Sequence, residues 1–498
     1  MPNRIVIDLE RIIGKIDPRI FGGFLEHMGR AIYQGIYDPG SALSDPCGFR
    51  TDVLKVMKDL GPTIIRYPGG NALSGYHWVD GVGPRELRPR KREMAWRSIE
   101  TNQFGINEFL KYCSEVRALP MLGVNLGTGG IEEASAMVEY CNAPVGTVYS
   151  DLRARHGYSK PHDVKHWCLG NEMDGPWQIG HLEAAEYGRK ALEAAKLMKW
   201  HDPNIQLILC GSSGTEMPTY PEWDRTALEI GWKHIDYLSM HYYADNRADD
   251  TPSFLASARQ FENHIDTLAS TLRYVKAKLR STHDVYLSWD EWNVWYKDMT
   301  LDGKWEEAPH LIEEVYNLED ALVVAQWLNV FLRRCDVLKI ACLAQLVNII
   351  APILTRPEGL LLQSIYYPFQ LFRRYASGNS LDVLCVSSQY ETKRFGPMPL
   401  IDVSASYEEE SDTNSIFIVN RNQITSEGIE LEWRAWKPGK VTKVIQVSGT
   451  DPKQANTFES PNTIIAKDVD PSRIQENKLC LEVPPLSFTT ITVSGVPK

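Results

Sequence analysis

The sequence predicts an α/β fold, a (β/α)8 TIM barrel followed by an antiparallel, jelly-roll-like β-sandwich, and three observations lead to it. From about residue 20 to residue 375, eight short apolar runs rich in strand formers alternate with amphipathic stretches. After about residue 377 the pattern changes to short alternating strands separated by Gly, Pro, Asn and Asp turns. The third observation is size and composition. With 498 residues, 43% hydrophobic and 23% charged, the chain has room for a barrel of about 250 residues or more plus a second unit, and disorder, collagen and low complexity are excluded.

The opening RIVIDLE alternates apolar and polar residues. A strand that precedes the barrel has no partner inside it, so residues 1–17 are expected to join the C-terminal sandwich. Residues 18–376 read as the barrel. Its strand runs are IFGGFLEH (20–27), TIIRYPGG (63–70), LPMLGVNLG (119–127), VKHWCLGNEM (164–173), IQLILCGSS (205–213), HIDYLSMHYY (234–243), HDVYLSWDEWN (283–293) and LKIACLAQLVN (338–348). Between them, segments such as GINEFLKYCSEVRA and HLEAAEYGRKALEAAKLMKW repeat apolar residues at the three- and four-residue spacing of a helix face. Residues 377–498 read as the sandwich, with strands in SIFIVNRN, VTKVIQVSG, KLCLEVP and FTTITVSG.

Charge and cysteines narrow the function class. The net charge of −11, from 53 basic and 64 acidic residues, repels a phosphate backbone, and the only basic run is the short RPRKR near Arg88, so no nucleic-acid partner is expected. The N-terminus has no apolar leader and no run of 18 apolar residues occurs, which predicts a soluble, cytoplasmic protein with no membrane partner. Nine scattered cysteines without a CxxC pair read as reduced core residues.

Reactive groups of such a barrel project from the carboxyl ends of its strands. Those ends carry Glu26 and His27; Arg66, Gly70 and Asn71; Asn125; Asn171 and Glu172; Ser212 and Ser213; His241 and Tyr243; Glu291, Trp292 and Asn293; and Gln345 and Asn348. A few polar groups are needed there merely to face water. Three glutamates closing strands one, four and seven need more explanation. Glu172 follows Asn171, whose amide can both donate to and accept from a substrate hydroxyl. Glu291 lies among Trp289, Trp292, Trp295 and Tyr296, which would desolvate it, while donors such as Tyr243 would hold it ionised. Carboxylates from strands four and seven face each other across the mouth, and glycosidases need such a pair flanking the bond they break. Asp290, one residue before Glu291, should alternate to the other side of the strand and lie between barrel and helices. Glu26 fits either a third acid or a ligand for sugar hydroxyls, and the ligand reading is preferred because two carboxylates already complete a mechanism. His27, His181 and His241 lack the spacing of a metal site, and no cofactor or metal is expected.

GNE at strand four and DEWNVWY at strand seven, with FLEHMGRAIYQGIYDPGS, IIRYPGGN, GVGPRELRPR, WCLGNEMDGPWQIGH and KIACLAQLVNIIAPI, strongly resemble α-L-arabinofuranosidases of glycoside hydrolase family 51 over nearly the whole chain. The resemblance implies a retaining exo-glycosidase that removes terminal non-reducing α-L-arabinofuranosyl groups from arabinoxylan and arabinan. It implies Glu172 as acid/base and Glu291 as nucleophile. Glu26, Asn71, Asn171 and Gln345 match sugar-binding residues, Tyr243 the tyrosine that orients the nucleophile, and Trp96 and Trp295 the aromatic walls of the pocket. It also implies arabinofuranose-containing oligosaccharides as partners and a homo-hexamer. One departure is visible: family members carry a tryptophan a few residues before the QxIYYP segment, at the rim where the leaving sugar rests, whereas this chain reads RPEGLLLQSIYYPFQLF. The rivals are a barrel β-xylosidase or endo-glucanase, and a carbohydrate-binding barrel without chemistry.

Overall fold

A computed structural model describes residues 3–297, 304–470 and 474–496. Eight parallel strands close the barrel in sequence order: Gly22–Phe24, Ile64–Tyr67, Leu119–Val124, His166–Leu169, Gln206–Leu209, Tyr237–Ala244, Tyr286–Val294 and Leu338–Leu343, here strands one to eight. Closure is made where Cys342 of strand eight pairs with Gly22 of strand one. The approach there is tight. A Cβ on Gly22 would lie 2.7 Å from the Ala341 carbonyl oxygen and 2.7 Å from Ile64, so only glycine lets strand one lie between its neighbours.

The intervening helices begin and end where side chains satisfy their free backbone groups. Glu108 accepts the Gly105 N–H at the start of Ile106–Val116, and Asn317 and Asp320 cap Leu318–Arg333 reciprocally. No helix among the described residues is long and apolar enough to cross a membrane. All nine cysteines are free, and six are buried.

The C-terminal unit is two packed sheets. One orders its strands 384–386, 3–8, 427–434, 478–483, and the other orders 12–15, 379–381, 401–408, 413–420, 487–495, 438–448, 467–468. The N-terminal strand is thus interior to the first sheet. It runs antiparallel to residues 384–386 but parallel to 427–434, with Ile5 opposite Leu431, so the sandwich is not purely antiparallel. A strand arriving from the start of the chain takes its direction from the barrel entry and not from a hairpin. Ile5, Ile7, Ile418, Leu431, Trp433 and Ile491 fill the space between the sheets.

The outer face of the larger sheet packs on the barrel. Phe372 of helix Tyr366–Tyr375 stacks on Phe417 and Phe488, with ring centroids 4.2 and 5.3 Å away. Helix Leu318–Arg333 is trapped between sheet and barrel, which explains why it is apolar on nearly every face. Asn329 is paired across the junction: it donates to Asp402 at 2.7 Å and accepts from Ser404 at 2.6 Å. On its barrel side, Trp327 and Phe331 hold Trp292 of strand seven.

Ile5→Ala should therefore cost about 2–5 kcal/mol in urea unfolding, the usual loss for a fully buried isoleucine. A cost below about 1 kcal/mol would show that the strand contributes little to the sandwich core.

Candidate active site

A cavity of about 330 Å³ opens at the carboxyl end of the barrel. Glu26, Asn71, Trp96, Glu172, Tyr243, Glu291, Trp295 and Gln345 line it, together with Phe24, Met28, Gly70, Trp177, Ser213, Ile312 and Ile350. Asn171 lies behind this wall, fully buried.

Arg66 of strand two, 1% exposed, organises the floor. Its Nη1 donates to Glu291 Oε1 at 2.6 Å, its Nη2 to Asn171 Oδ1 at 2.6 Å, and its Nε lies 3.4 Å from Asp290 Oδ2. The second oxygen of Glu291 accepts from the Tyr243 hydroxyl at 2.9 Å. Burial, then the charge of Glu291, push Tyr243 well above the usual phenol range, so it stays a donor.

Asp290 is inside the barrel and not between barrel and helices, contrary to simple alternation. It reaches Arg66 of strand two, Cys168 of strand four and Ser239 of strand six. The cause is a bulge: Ser239 pairs with Ser288 and His241 with Glu291, so strand seven takes three steps where strand six takes two. Asp290 and Glu291 therefore both face inward, and Trp289 and Trp292 both face the helices, against Phe261, Trp327 and Phe331. The aromatic shell expected around Glu291 is accordingly reduced to Trp295, since Tyr296 turns its hydroxyl to Asp320. Burial opposes the charge on Asp290, but Arg66, His241 and Ser239 hold it below the usual carboxylate range.

Glu172 follows strand four with φ of +42°, a left-handed conformation that turns its side chain toward the mouth. Its Oε1 lies 3.1 Å from His241 Nδ1 and its Oε2 accepts from Trp177 Nε1 at 2.8 Å. His241 Nδ1 is also 3.5 Å from Glu291 Oε2. Burial disfavours the imidazolium, but the Glu291 charge and contacts with Asp290 and Glu172 outweigh it and push His241 up to about 10. One ligand-capable atom from each of Glu172, His241 and Glu291 falls within 4.8 Å of the other two.

On the opposite wall, Glu26 Oε1 accepts from the Ala72 backbone N–H and from Trp96 Nε1, both at 2.9 Å. Gln345 receives the Glu26 backbone N–H at 2.9 Å and points its amide at Glu26 Oε2, 3.4 Å away. Asn171 Nδ2 faces Asn71 Oδ1 at 3.3 Å. Burial, then Glu291, raise the Glu26 carboxyl to about 8, against the pull of its N–H donors.

Comparison with known proteins decides the family. Residues 56–270 match the family model of the α-L-arabinofuranosidase 1 domain, and residues 290–487 that of the α-L-arabinofuranosidase C-terminal domain. The chain is 46% identical over 492 residues to the intracellular exo-α-(1→5)-L-arabinofuranosidase 1 of Bacillus subtilis (strain 168), covering 98% of each. It is 40% identical over 512 residues to an exo-α-(1→6)-L-arabinofuranosidase of Bifidobacterium longum, covering 99% of this chain and 97% of that one. A solved family 51 α-L-arabinofuranosidase from Bifidobacterium longum has a TM-score of 0.95 at 34% identity, covering 99% of this chain and all of that one. The chain belongs to the α-L-arabinofuranosidases of glycoside hydrolase family 51.

Several residues of this glycoside hydrolase's site carry weak sequence signals. Arg66 and His241 read only as polar strand ends, and their place between the carboxylates depends on the bulge. Trp177 lies in WCLGNEMDGPWQIGH, but nothing in that motif shows that its indole reaches Glu172. Met28, Ile312 and Ile350 come from loops that no periodicity aims at the cavity.

Glu26 yields a test of charge. Its folded value near 8 lies above the ordinary 4.5, so folding favours the protonated form. That contribution is complete below 4.5 and is lost as pH rises through 8. Glu26→Gln cannot ionise, so in urea unfolding at about pH 5 and about pH 8.5 the variant should gain stability relative to the parent at the higher pH. An unchanged difference would mean that Glu26 is ionised at both.

Proposed function

We propose that the enzyme is a retaining exo-arabinofuranosidase that cleaves terminal non-reducing α-L-arabinofuranosyl groups by double displacement. The observation that carries the reading is the approach of Glu172 and Glu291 oxygens to within 4.8 Å. Retaining glycosidases hold their carboxyl groups about 5–5.5 Å apart, whereas inverting ones need about 6.5–9.5 Å to admit a water. The cavity volume supports an exo mode, because about 330 Å³ suits one small sugar ring.

In the first step a Glu291 oxygen attacks the anomeric carbon as the C–O bond to the leaving sugar breaks, and protonated Glu172 gives its proton to the departing oxygen. In the second, Glu172 takes a proton from water, which attacks the anomeric carbon and releases Glu291. Arg66 and Tyr243 fix one Glu291 oxygen each, which orients the nucleophile. Glu26, Asn71 and Gln345 are assigned to the arabinose hydroxyls, with Asn171 behind them against Arg66 and Asn71 in place of the direct sugar contact expected from the sequence, and Trp96 and Trp295 are assigned to the ring faces. The substrates we infer are oligosaccharides of arabinan and arabinoxylan met inside the cell, a setting suggested by relatives named intracellular and exo-acting on (1→5) linkages. A hexamer is carried over from the family resemblance, and sedimentation measures it directly.

Glu291→Ala should abolish turnover of every arabinoside. Glu172→Ala should slow substrates with poor leaving groups about 10²–10⁴-fold, but should still form the covalent intermediate from an activated aryl arabinofuranoside and then stall. Azide, which needs no base, should restore turnover of that variant and give an arabinosyl azide of unchanged anomeric configuration. Equal slowing of both substrate types, with no burst and no azide product, would remove Glu172 from the acid/base role.

A further inference from the structure

His241 is more than a neighbour of the two catalytic carboxylates. It is 2% exposed, and its ring nitrogens face three carboxyl groups and one hydroxyl. Nδ1 faces Glu172 Oε1 at 3.1 Å and Glu291 Oε2 at 3.5 Å. Nε2 faces Asp290 Oδ1 at 3.4 Å and Ser239 Oγ at 3.3 Å. The Ser239 hydroxyl spends its own proton on Asp290, leaving a lone pair toward the ring. Nε2 is thus called on to donate to Asp290, and Nδ1, which faces Glu291 as well as Glu172, donates too when the ring is the imidazolium, the form these carboxyl groups favour. From helix Ala258–Lys278, His264 lies nearest the same strand; burial, together with the charge of His241, lowers it to about 3 and leaves it neutral.

The charges then balance through the cycle. Arg66 and His241 are positive. In the retaining mechanism proposed above, Asp290 and Glu291 start negative and Glu172 starts with the proton it will donate. After the first step Glu291 is an ester and Glu172 has given its proton to the leaving oxygen. The negative charge has moved from Glu291 to Glu172 while the sum stays the same. Arg66 contacts Glu291 and Asp290, with no bond to Glu172. His241 Nδ1 lies between both ends of the move.

We propose that His241 is a positioning residue whose Nδ1–H is shared by Glu172 and Glu291 before reaction and passes wholly to Glu172 once Glu291 is esterified, holding Glu172 as the base for the second step. The inference rests on the retaining reading above. Asp290 and Ser239 hold the ring from beneath, so the donor changes partner without the ring leaving its place.

His241→Asn keeps an amide N–H near the position of Nδ1 and removes the charge. On an activated aryl arabinofuranoside its first step should stay within about threefold of the parent while release of the sugar slows about tenfold or more, a fraction of the 10²–10⁴ of full acid–base catalysis. A burst, a joint fall of kcat and KM, arabinosyl-enzyme in intact-mass spectra and a shift of the acid limb of kcat to higher pH should appear together. A parallel loss in both steps with no burst and an unmoved limb would overturn the proposal. A measurement on the unaltered enzyme does not depend on that variant folding: nitrogen NMR shifts of labelled His241, free and after a fluorinated arabinofuranosyl inactivator has esterified Glu291, should report both ring nitrogens protonated in both states. A neutral ring in either state, with Glu291 labelled, refutes the role of His241 alone. Failure to label any carboxylate takes down the retaining reading and this inference with it.

Discussion

The buried guanidinium of Arg66 is the interaction on which the site depends. A carboxylate pair at the bottom of a cavity is costly to desolvate, and Asp290 and Glu291 are adjacent in the chain. Arg66 meets that cost by binding Glu291 at 2.6 Å and lying 3.4 Å from Asp290, while its remaining nitrogen ties Asn171 of strand four into the same array. The face of its guanidinium rests on the Phe24 ring, 4.7 Å from the centroid. One fixed charge thus sets the relative positions of strands one, two, four and seven at the floor of the cavity. A lysine, with a single charged point in place of a planar fork, cannot hold three partners in this geometry.

The bulge in strand seven supplies the rest. Regular alternation sends Asp290 outward and leaves His241 with one carboxylate fewer beside it. With the extra residue, two acids enter the barrel in succession and two tryptophans leave it, where they pack on Phe261, Trp327 and Phe331. Helix Leu318–Arg333 that carries Trp327 and Phe331 is itself clamped by the sandwich through Asp402 and Ser404. The second unit therefore supports the strand that holds Glu291, although none of its described residues lines the cavity.

The barrel was legible because its eight strand runs carry their own polar ends, and the same rule brought Glu26, Glu172, Glu291 and Tyr243 to one mouth. What the sequence hides is any feature that depends on register. The tryptophans at 289 and 292 look like a hydrophobic shell for Glu291 until the bulge turns them away, and Asp290 looks like a packing partner for the same reason. Parallel pairing of residues 3–8 with 427–434 leaves no local mark either, since alternation is identical for both strand directions. Trp177 and Met28 enter the wall through loop geometry, which short-range pattern does not encode.

The sandwich also braces the segment that follows strand eight. The segment after strand eight forms a hairpin, Ile353–Arg356 with Gly359–Leu362, whose Leu361 is buried. The sandwich fastens that hairpin: Arg356 stacks on Phe458 at 4.5 Å and Asn456 donates to the Leu362 carbonyl at 2.9 Å. Of the aromatic side chains lining the cavity, Trp177 is the most exposed, 53% accessible and bonded through Nε1 to Glu172. The same indole thus meets solvent with its ring and Glu172 with its N–H, so whatever settles on the ring is felt by that carboxyl group.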